Sequence, residues 1–269
     1  MQCDRIRKRF GLGDSLLLYN TNSELSKRGI GVSIKKGQET ACSLLAPWLF
    51  PELKRILVLD CDLIVQRDLR DLYATPLDGA MIAGVLDYDF IGQYNGNSHH
   101  RRYFRKELGL AEPFCYFQGG VLLFNLDRFR EKFSAESIFT PFCKKNYRYD
   151  EQDYLNKLCE GEKKLVDPRW NVMHDNDHYR DRYVIGLCPN ELVGEYRRSR
   201  TDPWIIHFAG NDKPWRNPSC DYGSNFWSVA EKIHIITWPD RVTAKHFTIL
   251  YRLKNELVFA IRHKRRIIN

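Results

Sequence analysis

Arg55-Ile56-Leu57-Val58-Leu59-Asp60-Cys61-Asp62 is the stretch on which the fold turns. Apolar, mostly branched residues that stop at two carboxylates read as a strand buried on both faces, the kind a parallel sheet contains. Alternation along a strand would put Asp60 and Asp62 on one side, at the carboxyl end where open α/β sheets bind ligands. Two carboxylates held together repel unless a cation is shared, and a hard divalent ion suits them. The plainer reading is a pair of acids that cap a strand and face water. The same alternation turns Cys61 away from both acids and into the core.

Outward from this stretch, other apolar runs end in polar residues. Met81 to Leu86 ends at Asp87, with Asp89 beyond it. Phe117 to Leu126 is entered through Gln118-Gly119-Gly120, and glycines there permit close approach of a ligand or a neighbouring chain. Leu165 to Asn171 opens with a short strand, and Trp204 to Gly210 is a last strand that ends in His207 and Gly210. Strands whose polar residues gather at one end describe a sheet with a site along its edge. Asp60, Asp62 and His207 would make a mixed oxygen and nitrogen metal site. Aspartates suit Mg²⁺ or Mn²⁺, an imidazole shifts the balance toward a transition metal, and zinc is formally allowed. A buried, satisfied histidine is the alternative for His207. Gly210 lets the backbone approach a phosphate, and Lys213 offers a point charge to it.

Helical spacing predicts helices over residues 40–53, with Pro47 kinking the first, and then over 127–133, 135–147, 151–158 and 225–238. Residues 15–19 and 30–34 read as short strands. Residues 91–104 read as a long loop of the sort that serves as a lid, and residues 174–200 as polar and turn-rich.

The chain has 269 residues, 43% apolar and 13% aromatic, so it can bury a core and is not disordered. No apolar run approaches the ~20 residues that span a bilayer, and Met1 to Arg5 lacks the apolar segment of an export signal. The eight cysteines form no Cys-x-x-Cys pair, so reduced thiols in a cytoplasm are expected. Of the net charge of +8, residues 241–269 carry +7, from eight Lys or Arg against Glu256. A near-neutral body with a basic tail argues against nucleic acid as a partner.

Four blocks together resemble the signature blocks of family-eight glycosyltransferases, in family order. They are Leu57-Val58-Leu59-Asp60-Cys61-Asp62, Phe117 to Leu126, Asp150-Glu151-Gln152-Asp153-Tyr154-Leu155-Asn156, and His207-Phe208-Ala209-Gly210-Asn211-Asp212-Lys213-Pro214-Trp215. That family includes bacterial lipopolysaccharide galactosyl- and glucosyltransferases and the glycogenins. The resemblance implies an α/β fold of the GT-A type: a single domain over residues 1–240 with a mixed, mostly parallel sheet flanked by helices. It implies a retaining transferase that uses Mn²⁺, with Mg²⁺ as the alternative, and moves galactose or glucose from a UDP-sugar to a saccharide or lipid-linked glycan. Asp60, Asp62 and His207 would hold the metal. Gly210 and Lys213 would contact the diphosphate, and Gln118, Gly119 and Asp60 the rest of the donor. Asp87, Gln152 and Asp153 or Glu151 match positions that meet donor sugar or acceptor. Gln118 replaces a usual Asn. Ala41-Cys42-Ser43 replaces a usual Tyr/Arg pattern, and the family's first strand has no counterpart before Thr40. The 1–240 domain is therefore expected to be N-terminally incomplete.

Residues 241–269 read as a basic amphipathic helix, with Leu250, Leu253, Leu257 and Ile261 three or four apart. Two readings stand for it: a helix packed on the body, or one that binds the anionic inner face of a membrane. Two other functions compete with the transferase: a metal-dependent phosphohydrolase, for which Asp87 and Asp89 are the further acids available, and a non-catalytic sugar-nucleotide binder.

Overall fold

The structure is a computed structural model that describes residues 7–233 apart from 9, 18 and 33–38. The fold is mixed α/β, with helices flanking two mixed sheets. The chain divides into two compact units, Met1–Arg55 with Leu126–Leu155 and Ile56–Asn125 with Asn156–Asn269.

The first unit is helical. Helix Thr21–Lys27 opens with the Asn20 side chain accepting from the Ser23 amide, the usual N-cap arrangement. No strand occurs among the described residues before Arg55. None of the described residues within the strand expected over 15–19 is in a strand, Leu18 lying outside them, and Gly13–Ser15 is a 3₁₀ turn. Residues 30–32 are irregular, and Ile34 lies outside the described residues. The helix expected over 40–53 is two short pieces, a 3₁₀ segment Glu39–Leu45 and an α-helix Ala46–Leu49. Pro47 sits in the first turn of that α-helix, where its missing N–H costs nothing. Arg130 of helix Leu126–Lys132 then ties the segment down, donating to the Pro47 and Leu53 carbonyls at 2.8 Å each. Helix Ala135–Lys144 opens with a reciprocal Ser134/Ser137 cap and buries Ile138, Phe139 and Phe142.

The second unit carries both sheets. Strands β1 (Arg55–Leu59), β3 (Ile82–Leu86), β4 (Phe117–Asn125) and β5 (Lys163–Leu165) form one, in the order β1-β4-β3-β5. Strands β2 (Leu63–Val65), β6 (Val172–Met173) and β7 (Ile205–His207) form the other, in the order β2-β7-β6. Strand β3 runs antiparallel to β4 and parallel to β5, and β7 antiparallel to β2 and parallel to β6. Strand β3 is buried throughout, whereas β1, at a sheet edge, is half-buried at every position. The opening stretch is therefore not covered on both faces, as its apolar run suggested. Leu57 and Leu59 pack against a core of Val85, Val121, Trp170 and Ile205.

Residues 91–104 are not a loop. Helices Tyr88–Gly96 and Ser98–Arg102 and a π-helical turn Tyr103–Leu108 occupy them. Asn97 ends the first helix and caps the second, its Oδ1 accepting from the His99 amide at 2.9 Å. Phe90 stacks on Tyr116 with ring centres 3.6 Å apart, so the helix is anchored by burial and not free to act as a lid. Residues 174–200 likewise contain helices Tyr179–Tyr183 and Asn190–Ser199. The last described helix is Gly223–Lys232, and the basic tail 241–269 lies outside the described residues. No helix among the described residues is long and apolar enough to cross a membrane.

Gly92 lets helix Tyr88–Gly96 meet the backbone of Val184, since a Cβ there would lie 2.1 Å from the Val184 carbonyl oxygen. Gly92→Ala is expected to destabilise the protein by about 1–3 kcal/mol through overpacking. An unchanged thermal midpoint would contradict this contact.

Candidate active site

The Asp60-Cys61-Asp62 turn is the seam between the two sheets. The Asp60 amide donates to the Gly120 carbonyl of β4 at 2.9 Å, and the Asp62 carbonyl accepts from the Phe208 amide just past β7 at 3.0 Å. The two acids are thus brought together by a turn tied at each end, not by alternation along one strand. Because β1 stops at Leu59, alternation does not govern Cys61, which is exposed and not buried in the core.

His207 ends β7 between Leu63 of β2 and Met173 of β6. Its side chain is 2% exposed, and Nε2 lies 3.5 Å from Asp60 Oδ2 and 3.3 Å from Asp62 Oδ1. The other ring nitrogen, Nδ1, is 2.9 Å from Asn171 Oδ1. Since that oxygen only accepts, Nδ1 donates to it and Nε2 is aimed at the carboxylates. Asn171 in turn is held by Gln118, whose Oε1 accepts from Asn171 Nδ2 at 2.5 Å and from the Gly120 amide at 2.6 Å. Gly120 leaves room for the imidazole, because a Cβ there would lie 2.3 Å from His207 Cε1 and 2.9 Å from Asp60 Oδ2. Of the glycine pair expected to permit close approach, Gly120 is the one met by the ring and by Asp60.

These three residues fit a hard divalent ion. One ligand atom from each lies within 4.8 Å of the others, and ligand atoms bound at about 2.1 Å on an octahedron sit about 3 Å apart. They are the only such group of three among the described residues. Lys213 adds positive charge, its ammonium donating to Asp62 Oδ2 and, at 2.6 Å, to the Phe208 carbonyl. Burial alone would raise the Asp62 carboxyl, but hydrogen bonds and charge from His207 and Lys213 outweigh it and hold it well below the usual carboxylate range. Burial likewise disfavours the charged form of His207, yet Asp60 and Asp62 raise its pKa. Both shifts mark a cluster whose excess negative charge draws cations.

The loop beyond His207 is stitched from several sides. Gly210 adopts φ +91°, a left-handed conformation that suits glycine. Asp212 Oδ2 accepts from Asn176 Nδ2 and, at 3.3 Å, from Asn217 Nδ2. Trp215 packs against Phe226 with ring centres 5.6 Å apart.

Asp87 ends β3 and is 7% exposed, but its Oδ1 accepts from the Phe90 amide at 2.9 Å and caps helix Tyr88–Gly96. Gln152 and Asp153 belong to the first unit, on helix Asp150–Leu158. Asp153 is fully buried and accepts from the Tyr149 amide at 2.9 Å. Asp60, Asp62, His207, Lys213 and Gln118 are thus joined by direct contacts or through Asn171. Sequence reading missed Asn171 and the Asn176–Asp212–Asn217 stitching, whose partners lie 36 and 5 residues apart with no spacing rule to reveal them.

Replacing Asn171 with Leu keeps the volume near the ring and removes the group that orients it. We expect Mn²⁺ affinity, measured by calorimetry, to fall about 10–100-fold, as for other lost orienting partners. Wild-type affinity in that variant would contradict the arrangement.

A model of the family described as Glycosyl transferase family 8 matches residues 40–218. The chain is 26% identical over 174 residues to General stress protein A of Bacillus subtilis, covering 61% of this chain and 54% of that protein. It spans about half the length of the curated relatives it matches. The apo structure of WbbM, a bifunctional glycosyltransferase, superposes with a TM-score of 0.67 at 23% identity over 82% of this chain and 39% of that one. The galactosyltransferase LgtC, solved with donor and acceptor sugar analogs, superposes with a TM-score of 0.60 at 22% identity over 81% of this chain and 75% of that one. With the family match spanning most of the chain and the Asp60/Asp62/His207 cluster inside it, the chain belongs to glycosyl transferase family 8 and has its GT-A type of fold.

Proposed function

We propose that this protein is a retaining glycosyltransferase that moves a hexose, galactose or glucose, from a UDP-sugar to a glycan or glycolipid acceptor. The observation that carries the reading is the convergence of Asp60, Asp62 and His207, with Lys213 bound to the same Asp62. A divalent cation held there, Mn²⁺ or Mg²⁺, would neutralise charge on a leaving nucleoside diphosphate. Lys213 supplies a second cation to that leaving group, and Gly210, with no side chain, lets the backbone approach it. Gln118 spends its amide oxygen inside the protein, so it would meet the sugar through its amide nitrogen. Gly119 lies beside it on β4 and is assigned to the same donor contact.

Gln152 is assigned to the reacting face of the sugar, with Asp87 and Asp153 as supporting carboxyls. An amide is a poor nucleophile, which favours same-face attack in which the leaving phosphate oxygen accepts the acceptor's proton. A covalent glycosyl adduct trapped on any side chain would overturn that route.

Incubation with UDP-glucose or UDP-galactose is expected to release UDP only when Mn²⁺ or Mg²⁺ is added. Asp62→Asn should abolish that release, and Lys213→Met should lower kcat about 10²–10³-fold. Metal-independent release, or turnover unchanged in Asp62→Asn, would refute the assignment.

We further propose that residues 241–269, as a basic amphipathic tail appended to the catalytic domain over residues 1–240, bring the enzyme to the anionic cytoplasmic face of a membrane. Each basic residue near such a surface contributes ~1 kcal/mol. Sedimentation with phosphatidylglycerol vesicles should be lost when residues 247–269 are deleted, and unchanged sedimentation would exclude the tail.

A further inference from the structure

Arg180, which no signature block contains, places its guanidinium among Asp89, Met173 and Gly210. Its Nη1 donates to Asp89 Oδ2 and lies 3.9 Å from Met173 Sδ. Met173 is the register partner of His207 across β6 and β7. Register partners share a sheet face at a spacing of about 5 Å, so the Met173 side chain links the guanidinium to the strand position of His207. On its other side, Nη2 lies 3.9 Å from where a Cβ of Gly210 would be. Arg180 therefore sits between Asp89 beyond the end of β3, Met173 of β6 and the loop that leads to Lys213.

Asp89 is the less settled partner. One carboxylate oxygen is bound by Arg180, while the other, Oδ1, is buried with no hydrogen-bond partner among the described residues. The two side chains are 20% and 23% exposed. A buried carboxylate oxygen left without a donor costs about 1–3 kcal/mol or more, and such an atom calls for a missing partner. That partner must be a donor, because a carboxylate only accepts.

The arm that delivers Arg180 is fixed before any ligand arrives. Asp175 is 3% exposed, and its carboxylate accepts from the Arg180 amide at 2.7 Å, the Asp181 amide at 3.0 Å and the Tyr196 hydroxyl at 3.3 Å. Asp177 and His178 just before it both adopt left-handed φ, +56° and +53°. Consecutive strained residues persist only where the surroundings over-determine them, and they gather at functional sites.

We propose that Asp89 and Arg180 form a paired subsite for the neighbouring hydroxyls of a saccharide, beside the Gly210 loop that leads to Lys213. Asp89 Oδ1 accepts from one hydroxyl, and a remaining guanidinium N–H donates to the oxygen next to it. This rests on the transferase reading given above. The pair is already neutral within itself, and Asp87 adds a further carboxyl within electrostatic reach of Arg180. The subsite therefore suits a neutral sugar over a uronate or a phosphate, either of which would compete with Asp89 for the guanidinium. The hydroxyls come from the transferred hexose of the donor or from the acceptor.

Calorimetry on the full chain with Mn²⁺ distinguishes these cases, using Asp89→Asn and Arg180→Met variants checked for an unchanged melting transition. Asp89→Asn keeps the shape and serves where Arg180→Met does not fold. UDP should bind wild type and variants alike. If the donor hexose is the ligand, UDP-galactose or UDP-glucose binding falls at least tenfold in the variants. If the acceptor is the ligand, UDP-hexose binding is unchanged, and saturation-transfer signals from methyl β-galactoside or methyl α-glucoside, in the presence of UDP, fall at least tenfold. UDP-galacturonate should bind wild type no more tightly than UDP-galactose. Loss of UDP binding itself in the variants would assign Arg180 to the diphosphate and overturn the subsite, as would unchanged binding of every sugar. Failure of UDP to bind wild type would instead bring down the transferase reading, and the subsite with it.

Discussion

Two carboxylates gathered with an imidazole, one ligand atom of each within 4.8 Å of the others, are an electrostatic burden that positive charge relieves. Like charges 4 Å apart near a protein surface cost on the order of 4 kcal/mol. The chain accepts that cost through a backbone device. The turn between β1 and β2 is bonded at Asp60 to one sheet and at Asp62 to the other, so the backbone at neither acid can shift without breaking a bond to a sheet. Lys213 supplies part of the compensation, and the raised imidazole supplies another part. Both place positive charge from the protein's own side chains against the carboxylates.

Much of the surrounding structure follows from holding that cluster in register. Strand β4 brings Gly120, whose missing side chain makes space for the ring, and Gln118, which fixes Asn171. Asn171 then fixes which imidazole nitrogen faces the acids. Beyond β7, the Asp212 and Asp221 carboxylates knit the loop carrying Lys213 to the segment after β6, with Asp221 Oδ2 accepting from the Asp175 amide and from Arg200. The positioning of the cluster is thus shared among short elements. Strands of two and three residues are enough in β6 and β7 because both flanks of His207 are paired.

The ligand cluster was legible in the sequence, though partly for an incomplete reason. Asp60, Asp62 and His207 stand where apolar runs end, and they do meet. Strand alternation was credited with joining the two acids, but a run of apolar residues does not say where pairing stops, and β1 ends one residue before Asp60. Cys61 was misplaced for the same reason. The helices over 88–108 were hidden because Asn97 and two glycines read as loop punctuation, whereas Asn97 serves as a cap shared by two helices. Asp87 shows a general ambiguity: a carboxylate that follows a buried strand can be a ligand contact or the cap of the next helix, and the local sequence is the same for both. Asn171 and the Asp89–Arg180 pair lie 36 and 91 residues from their partners, a distance at which one sequence holds no periodic signal.

The proposed metal site is one divalent cation held by Asp60, Asp62 and His207, which would join the protein to a sugar-nucleotide diphosphate. Anomalous diffraction at the manganese edge, from crystals grown with MnCl₂ and UDP, tests it most directly. One strong peak should appear about 2.0–2.3 Å from Asp60, Asp62 and His207 Nε2, with the diphosphate on its open side and Lys213 drawn from Asp62 toward a phosphate oxygen. Ordered UDP with no anomalous peak at these three residues, or a peak held elsewhere, would contradict the account.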